Sequence, residues 1–123
     1  ELLRSLKAQG AKLAVVTMKS RQPTFKILER HGLKDIIDEV VTYEDVAKRK
    51  PDPESLFVLL GKFDISADET LMIGDAVTDI LYAKNAGADA AAVSFGYSDV
   101  ADLMAQSPDY VINSFTEFQK KRA

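Results

Sequence analysis

Asp75 and Asp79 stand four residues apart, directly after the apolar run Leu71-Met72-Ile73 and Gly74. If that run is a strand and the following residues open a helix, Asp75 falls at the strand's end. Asp79 then lies one helical turn further along on the same side. Two hard oxygen donors facing one point suit Mg²⁺, which takes one or two protein carboxylates and leaves its other positions to water and phosphate. The structural alternative makes Asp75 a helix cap and sets Asp79 against the helix's positive end. Thr17 closes another apolar run, where its hydroxyl and the next backbone N–H groups, beginning with Met18, can grip a phosphate oxygen. A β-branched residue ending a strand, or capping a helix, would look the same. Lys50 precedes Pro51 and Pro53, which restrict the backbone and so fix where the ammonium points. A pinned cation near carboxylates could neutralise a transferring phosphoryl group, whereas Lys48-Arg49-Lys50 could equally be a solvated charge run.

Other chemistry-bearing residues carry weaker signals. His31 precedes Gly32 at a predicted helix end, where an imidazole can bond the last carbonyls. Tyr43, Glu44 and Asp45 form an acidic and aromatic loop without catalytic spacing. Met18, Met72 and Met104 read as core or loop filler. Ser94-Phe95-Gly96 follows a strand and could border a pocket.

These residues need a scaffold that places them, and the hydrophobic pattern supplies one. Leu2, Leu3 and Leu6 predict a helix stopped at Gly10, followed by a strand over Leu13 to Thr17. Pro23, Phe25, Ile27 and Leu28 predict a second helix closed by Gly32, and Val40-Val41-Thr42 a second strand. Leu56, Phe57, Leu59 and Leu60 form a helical stripe ending near Gly61, before the strand Leu71-Met72-Ile73. Ile80, Leu81 and Ala83 to Ala86 form a helix stopped by Gly87, and Ala91-Ala92-Val93 a fourth strand. Ser98 is the expected cap of a helix through Leu103 and Met104, Tyr110-Val111-Ile112 a last strand, and Phe115 to Lys121 a terminal helix anchored by Phe115 and Phe118. Apolar strands alternating with helices predict an α/β domain of three layers, with a parallel sheet covered on both faces. Such sheets bind ligands beyond the carboxyl ends of their strands, where Thr17, the Thr42–Lys50 loop, Asp75 with Asp79, and Ser94 all fall.

Length and composition bound the rest. The 123 residues suit one domain spanning 1–123, and 46% hydrophobic with 28% charged residues is a globular balance. A net charge of −3 gives no basic surface for nucleic acid or acidic membranes. The absence of cysteine rules out disulfides and thiolate chemistry and fits a reducing cytosol, and the apolar runs fall far short of the roughly 20 residues that span a bilayer, so a soluble, cytoplasmic protein is expected. The chain begins at Glu1, already inside a helical pattern, so its natural start is expected upstream.

Thr17 after its strand, Lys50-Pro51-Asp52-Pro53, and Gly74-Asp75 with Asp79 come in an order that resembles motifs two, three and four of the haloacid dehalogenase-like hydrolases. Val16 to Arg21, Val41 to Val46 and Asn85-Ala86-Gly87 are similar to the phosphoglycolate phosphatase and PpaX-type pyrophosphatase branch, so the resemblance covers nearly the whole chain. It implies a Rossmann-like αβα core in which a metal-bound aspartate attacks the phosphoryl group, water hydrolyses the aspartyl-phosphate, and a second aspartate serves as acid and base. On that pattern Thr17 and Met18 would hold phosphoryl oxygens and Lys50 would balance charge on phosphate and nucleophile. Asp75 would ligate Mg²⁺, and Asp79 would support it directly or through water. The Gly-Asp form of the last motif favours phosphatases over sugar-phosphate mutases, which commonly carry Glu-Asp there.

The family's first motif, Asp-x-Asp-x-Thr, and its helical cap are not in this sequence. The expectation is therefore the C-terminal core of a phosphatase acting on a small phosphorylated substrate, with its nucleophile upstream and the chain alone inactive. The family's first strand would sit between the strands ending at Thr17 and Ile73. Its loss leaves a gap to be closed by pairing those strands, by a strand-donating partner or self-association, or left partly molten. The alternative is a non-catalytic phosphate- and metal-binding or regulatory module. A receiver domain fits poorly, since its acidic residues come early and its Thr and Lys late.

Overall fold

Short strands alternate with helices through the computed structural model, which describes residues 2–96 and 98–114. The chain divides into two compact units, Glu1–Arg49 and Lys50–Ala123.

In the first unit, helix α1 (Leu2–Ala8) ends before Gly10, whose φ of 92° is the left-handed conformation glycine adopts without strain. Strand β1 (Ala14–Val16) lies parallel to β2 (Glu39–Val41), with Val15 opposite Val40. Helix α2 (Arg21–Arg30) connects them. Asp38 fixes the approach to β2: its carboxylate accepts the Leu13 N–H at 2.7 Å and pairs with Lys7. The Lys7 ammonium, with that N–H, holds the Asp38 carboxyl below its usual range. Helix α2 buries Thr24 and Leu28, one turn apart, and the Thr24 hydroxyl donates to the Ser20 carbonyl at 2.8 Å. Ile27, expected on this buried face, is exposed: it lies about 100° around the helix from Leu28 and about 60° from Thr24, on the outer edge of the stripe. Phe25 instead sits beneath two cations, Arg21 at 5.5 Å and Lys34 at 5.9 Å from its ring.

The second unit contains α3 (Glu54–Phe63), β3 (Leu71–Gly74), α4 (Val77–Ala86), β4 (Asp89–Val93), α5 (Val100–Met104) and β5 (Tyr110–Ile112). All three strands are parallel, in the order β3-β4-β5. The central strand is buried along Ala90, Ala91, Ala92 and Val93, so it reads as a continuous apolar run. Its small side chains leave room for α4, which packs on β3 and β4 through Ile80, Ala83 and Ala86. Helix α3 buries Ser55, Leu56, Leu59 and Leu60. Phe57 belongs to the expected stripe but faces outward, again one residue off the i, i+3, i+4 face. The helix runs through Gly61 to Phe63 and stops where Asp64 takes φ of 54°, so the terminator is an aspartate in the left-handed region. Gly87 ends α4 as expected, with φ of 80°.

Asp99, not Ser98, occupies the capping position of α5; Ser98 Oγ instead accepts the Val77 N–H at 3.3 Å. Leu103 is buried, and Met104, expected as filler, is exposed. The predicted terminal helix with Phe115 and Phe118 lies outside the described residues. The architecture is α/β with parallel strands, and these fall into two sheets, β1-β2 and β3-β4-β5. Among the described residues no helix is long and apolar enough to cross a membrane.

Candidate functional site

In the second unit, β3 delivers Gly74 and Asp75 to its carboxyl end and α4 returns Asp79 one turn later. The Asp79 side chain folds back over this turn: Oδ2 accepts the Ala76 N–H at 3.3 Å, and Oδ1 accepts from Lys50 Nζ at 2.6 Å. Gly74 is required by this closeness and not by a left-handed φ. A Cβ built there would lie 2.5 Å from Asp79 Cγ and nearer still to its Cβ and Oδ2.

The Lys50–Asp79 pair is withdrawn from solvent, with side chains only 9% and 10% exposed. An ammonium and a carboxylate at this burial attract through a medium far less screening than water, and each would be costly without the other. Lys50 is held from a second side by Tyr82, whose ring centroid is 6.0 Å from Nζ. Tyr82 is fully buried, and its hydroxyl shares a 2.7 Å hydrogen bond with Ser55. Burial, reinforced by the nearby Asp79 charge, pushes the Tyr82 phenol up against the opposing pull of Ser55, so it stays neutral. Asn85, also on α4, donates from Nδ2 to the Pro51 carbonyl at 2.9 Å. One helix therefore fixes the residue after Lys50 through Asn85 and the ammonium through Asp79.

Asp75 is held from another direction. Its carbonyl accepts the Ser98 N–H at 2.9 Å, and a Cβ built on Gly96 would lie 2.5 Å from Asp75 Oδ2 and nearer still to its Cβ. The segment after β4 thus packs directly on the Asp75 side chain.

Thr17 and Met18 belong to the first unit. The Thr17 N–H extends the sheet by donating to Val41 O at 3.0 Å, and its Oγ1 accepts the Lys19 N–H at 3.1 Å, tightening the turn into α2. Met18 is exposed in this turn. The start of α2 is clamped by the loop after β2: Glu44 accepts the Arg21 N–H at 2.7 Å, and Asp45 pairs with the Arg21 guanidinium at 2.6 Å. Asp45 also accepts the Thr42 N–H and hydroxyl at 2.8 and 2.9 Å. These bonds, the Thr42 N–H first and Arg21 next, lower the Asp45 carboxyl to about 2. Arg49 lies 5.2 Å from the Tyr43 ring. At His31 the backbone N–H, and not the expected imidazole, serves the helix end by donating to Ile27 O at 3.2 Å.

The structure thus joins Lys50 to Asp79 and sets Asp75 at the same turn, while Thr17 and Met18 lie in the other unit. Sequence reasoning missed Tyr82, Ser55 and the Pro51 bond of Asn85. Helical spacing held the signal, since Tyr82 lies three residues after Asp79 and Asn85 three further on. It also passed over Glu44 and Asp45, which act as helix-start acceptors.

The donor chemistry fits Mg²⁺ in a limited sense. No group of three or more His, Cys, Asp or Glu poised for a metal occurs among the described residues. A cage built wholly by those residues is therefore absent, but Mg²⁺ needs only one or two carboxylates when water and phosphate complete its shell. Asp75 at the strand end would be one candidate for such a carboxylate. Asp79, already engaged by Lys50 and the Ala76 N–H, is better suited to orienting than to direct ligation.

Comparison with known proteins bears on this arrangement. Residues 1–93 match the haloacid dehalogenase-like hydrolase family. The chain is 40% identical over 117 residues to pyrophosphatase PpaX of Bacillus mycoides, covering 95% of this chain and 54% of that protein. It is 44% identical over 97 residues to phosphoglycolate phosphatase of Rhodospirillum rubrum, covering 79% and 40% respectively. The crystal structure of a predicted phosphoglycolate phosphatase from Haemophilus somnus superposes with a TM-score of 0.92 at 30% identity, covering 99% of this chain and 54% of that one. The chain therefore spans about half the length of the curated relatives it matches.

Proposed function

The chain belongs to the haloacid dehalogenase-like hydrolases, and from that premise we propose that it is the C-terminal core of a Mg²⁺-dependent phosphatase. Its substrate class is a small phosphomonoester, phosphoglycolate-like, or pyrophosphate, the substrates for which its relatives are named. The observation that carries this reading is the buried Lys50–Asp79 pair beside Asp75 at the end of β3. A positive charge held out of water, where phosphoryl charge shifts, lowers the barrier more than one dissolved in solvent.

In this reading Lys50 balances charge on the phosphoryl group and on the attacking carboxylate, which comes from a segment outside this sequence. Asp79 fixes the lysine, and Tyr82 keeps water from its other side. Thr17 and Met18, of the first unit, take the phosphoryl-holding role that the family resemblance implies for them. Asp75 would hold Mg²⁺, which when bound supplies charge neutralisation and a template for the phosphate oxygens. The carboxylate attacks phosphorus as the leaving oxygen departs with the bond's electron pair, and water then cleaves the acyl phosphate, restoring the carboxylate and releasing phosphate. Alone, the chain is inactive in this scheme. The cysteine-free composition supports a reducing, cytoplasmic setting, and a strand supplied from outside the chain would fit beside β1 or β3, each an edge of its sheet.

The test is phosphate release with Mg²⁺ from phosphoglycolate, pyrophosphate and an aryl phosphate. It compares the 123-residue chain with a chimera in which the N-terminal half of the Bacillus mycoides pyrophosphatase precedes it. Release by the chimera that is lost on Asp75→Asn, with none from the chain alone, supports the proposal. A folded chimera without release would favour a non-catalytic binding module.

A further inference from the structure

We propose that Gly96 and Ser98 are positioning residues for Asp75, forming a clasp from the segment after β4 that fixes where the carboxylate stands. This rests on the reading of Asp75 as the metal-holding carboxylate and adds residues outside the three motifs on which the family resemblance was built.

Three observations meet at one place. The Ser98 N–H donates to the Asp75 carbonyl at 2.9 Å, fixing the backbone of the residue that carries the carboxylate. Ser98 Oγ accepts the Val77 N–H at 3.3 Å, meeting one of the N–H groups that the first turn of a helix leaves without an intrahelical partner. Gly96 packs against the Asp75 side chain itself: a Cβ there would fall 2.5 Å from Oδ2 and 2.7 Å from Cγ. Gly96 has no left-handed φ to explain its identity, so the glycine answers to space alone. An added methyl group must displace either its own segment or the Asp75 carboxylate. Asp75 is thus bound by its backbone on one side and limited in side-chain position on another. Restraint of this kind is how outer partners orient a metal-binding carboxylate.

Gly74 shows the same device one residue earlier, packed on Asp79. The two aspartates therefore each rest against a glycine, but from different segments. Gly74 belongs to the strand that delivers the site, whereas Gly96 comes from the next crossover in the sheet. The clasp ties the position of Asp75 to β4, the central strand of its sheet.

The experiment uses the 123-residue chain labelled for NMR, with Gly96→Ala, Ser98→Ala and the control Gly61→Ala, whose added Cβ meets nothing within 4 Å. Two readouts are followed: the Asp75 carboxyl carbon resonance, and broadening of the residue 74–77 amides by Mn²⁺ used in place of Mg²⁺. Gly96→Ala should shift the Asp75 carboxyl resonance while Gly61→Ala leaves it in place. It should also weaken the Mn²⁺ response by at least about tenfold. Ser98→Ala should speed hydrogen exchange at the Val77 N–H and weaken Mn²⁺ severalfold. A folded Gly96→Ala chain with an unmoved Asp75 resonance and wild-type Mn²⁺ response would overturn the clasp. Should Gly96→Ala fail to fold, unchanged Val77 exchange and Mn²⁺ response in Ser98→Ala would overturn it instead. If the unaltered chain shows no broadening near Asp75, the metal role falls, and the carboxyl shift alone upholds or overturns the clasp.

Discussion

Each unit holds an ion pair at 2.6 Å, Arg21–Asp45 in the first and Lys50–Asp79 in the second, yet the two are built for different work. Arg21 and Asp45 are 50% and 29% exposed, and water competes for both. Their carboxylate earns its place mainly by capping the turn after β2, where it accepts the Thr42 N–H and hydroxyl. Lys50 and Asp79 are about nine-tenths withdrawn from solvent, and packing shapes that site: Gly74 makes room for Asp79, Tyr82 lies by the ammonium, and Asn85 ties down the next carbonyl. Equal distances thus conceal unequal energies, because burial decides what a charge pair is worth and what its loss would cost.

The largest effect should follow breaking the buried pair from one side. Asp79→Ala removes the carboxylate 2.6 Å from the Lys50 ammonium and should cost on the order of 3–5 kcal/mol, read as a fall in the urea midpoint of the chain. The double replacement Lys50→Met with Asp79→Leu should recover most of that stability, since an apolar pair of similar volume is often no worse than a buried ion pair. A double variant as unstable as Asp79→Ala would mean that the site is held by something other than charge pairing. Asp75→Asn sharpens the contrast from within the same turn. In the chimera it should reduce phosphate release by at least about a hundredfold, because it removes charge from the proposed metal site.

The same contrast explains what could be read from the sequence. Strands, crossover helices and the glycine stops at Gly10 and Gly87 were legible because period and punctuation are local properties. Asp75, Asp79 and Lys50 were legible as residue types after the right elements. Ile27 and Phe57 were not, since an apolar residue one step off a helix face looks like a core residue until a partner surface is chosen. Tyr82 and Ser55 were hidden for a related reason, and Gly96 was visible only as a possible pocket border: their roles exist only once α3, α4 and the segment after β4 are packed. Sequence also assigned Ser98 the cap that Asp99 takes, because two capping residues stood side by side and only the packed fold gave Ser98 its bond to Val77.

The first unit's pair should respond to pH rather than to burial. Asp45 has its carboxyl lowered to about 2 by the Thr42 N–H first and Arg21 second. A carboxyl depressed on folding contributes stability that is complete above its unfolded value of about 4 and is lost as pH falls toward the folded value. Asp45→Asn should therefore lower the urea midpoint near neutral pH by an amount corresponding to about 1 kcal/mol. The difference from the unaltered chain should shrink between about pH 4 and the folded value of about 2. A difference that stays constant across that window would remove the charged cap as its cause.

Asp35 supplies the lower end of the scale. It faces Arg4 at 3.5 Å with side chains 69% and 54% exposed, and Arg4 has a nearer acceptor in the Gly32 carbonyl at 2.6 Å. Solvent screens the pair, and losing Asp35 leaves no charge buried, so Asp35→Ala should change stability by no more than about 0.5 kcal/mol. Denaturation midpoints of Asp79→Ala, Asp45→Ala and Asp35→Ala, measured under one condition, should then rank in the order of burial. That ranking separates burial from distance as the governing variable, because the first two pairs share one separation and differ in exposure. If Asp45→Ala costs as much as Asp79→Ala, burial is not the governing variable, and the buried pair loses its claim to be the specialised one.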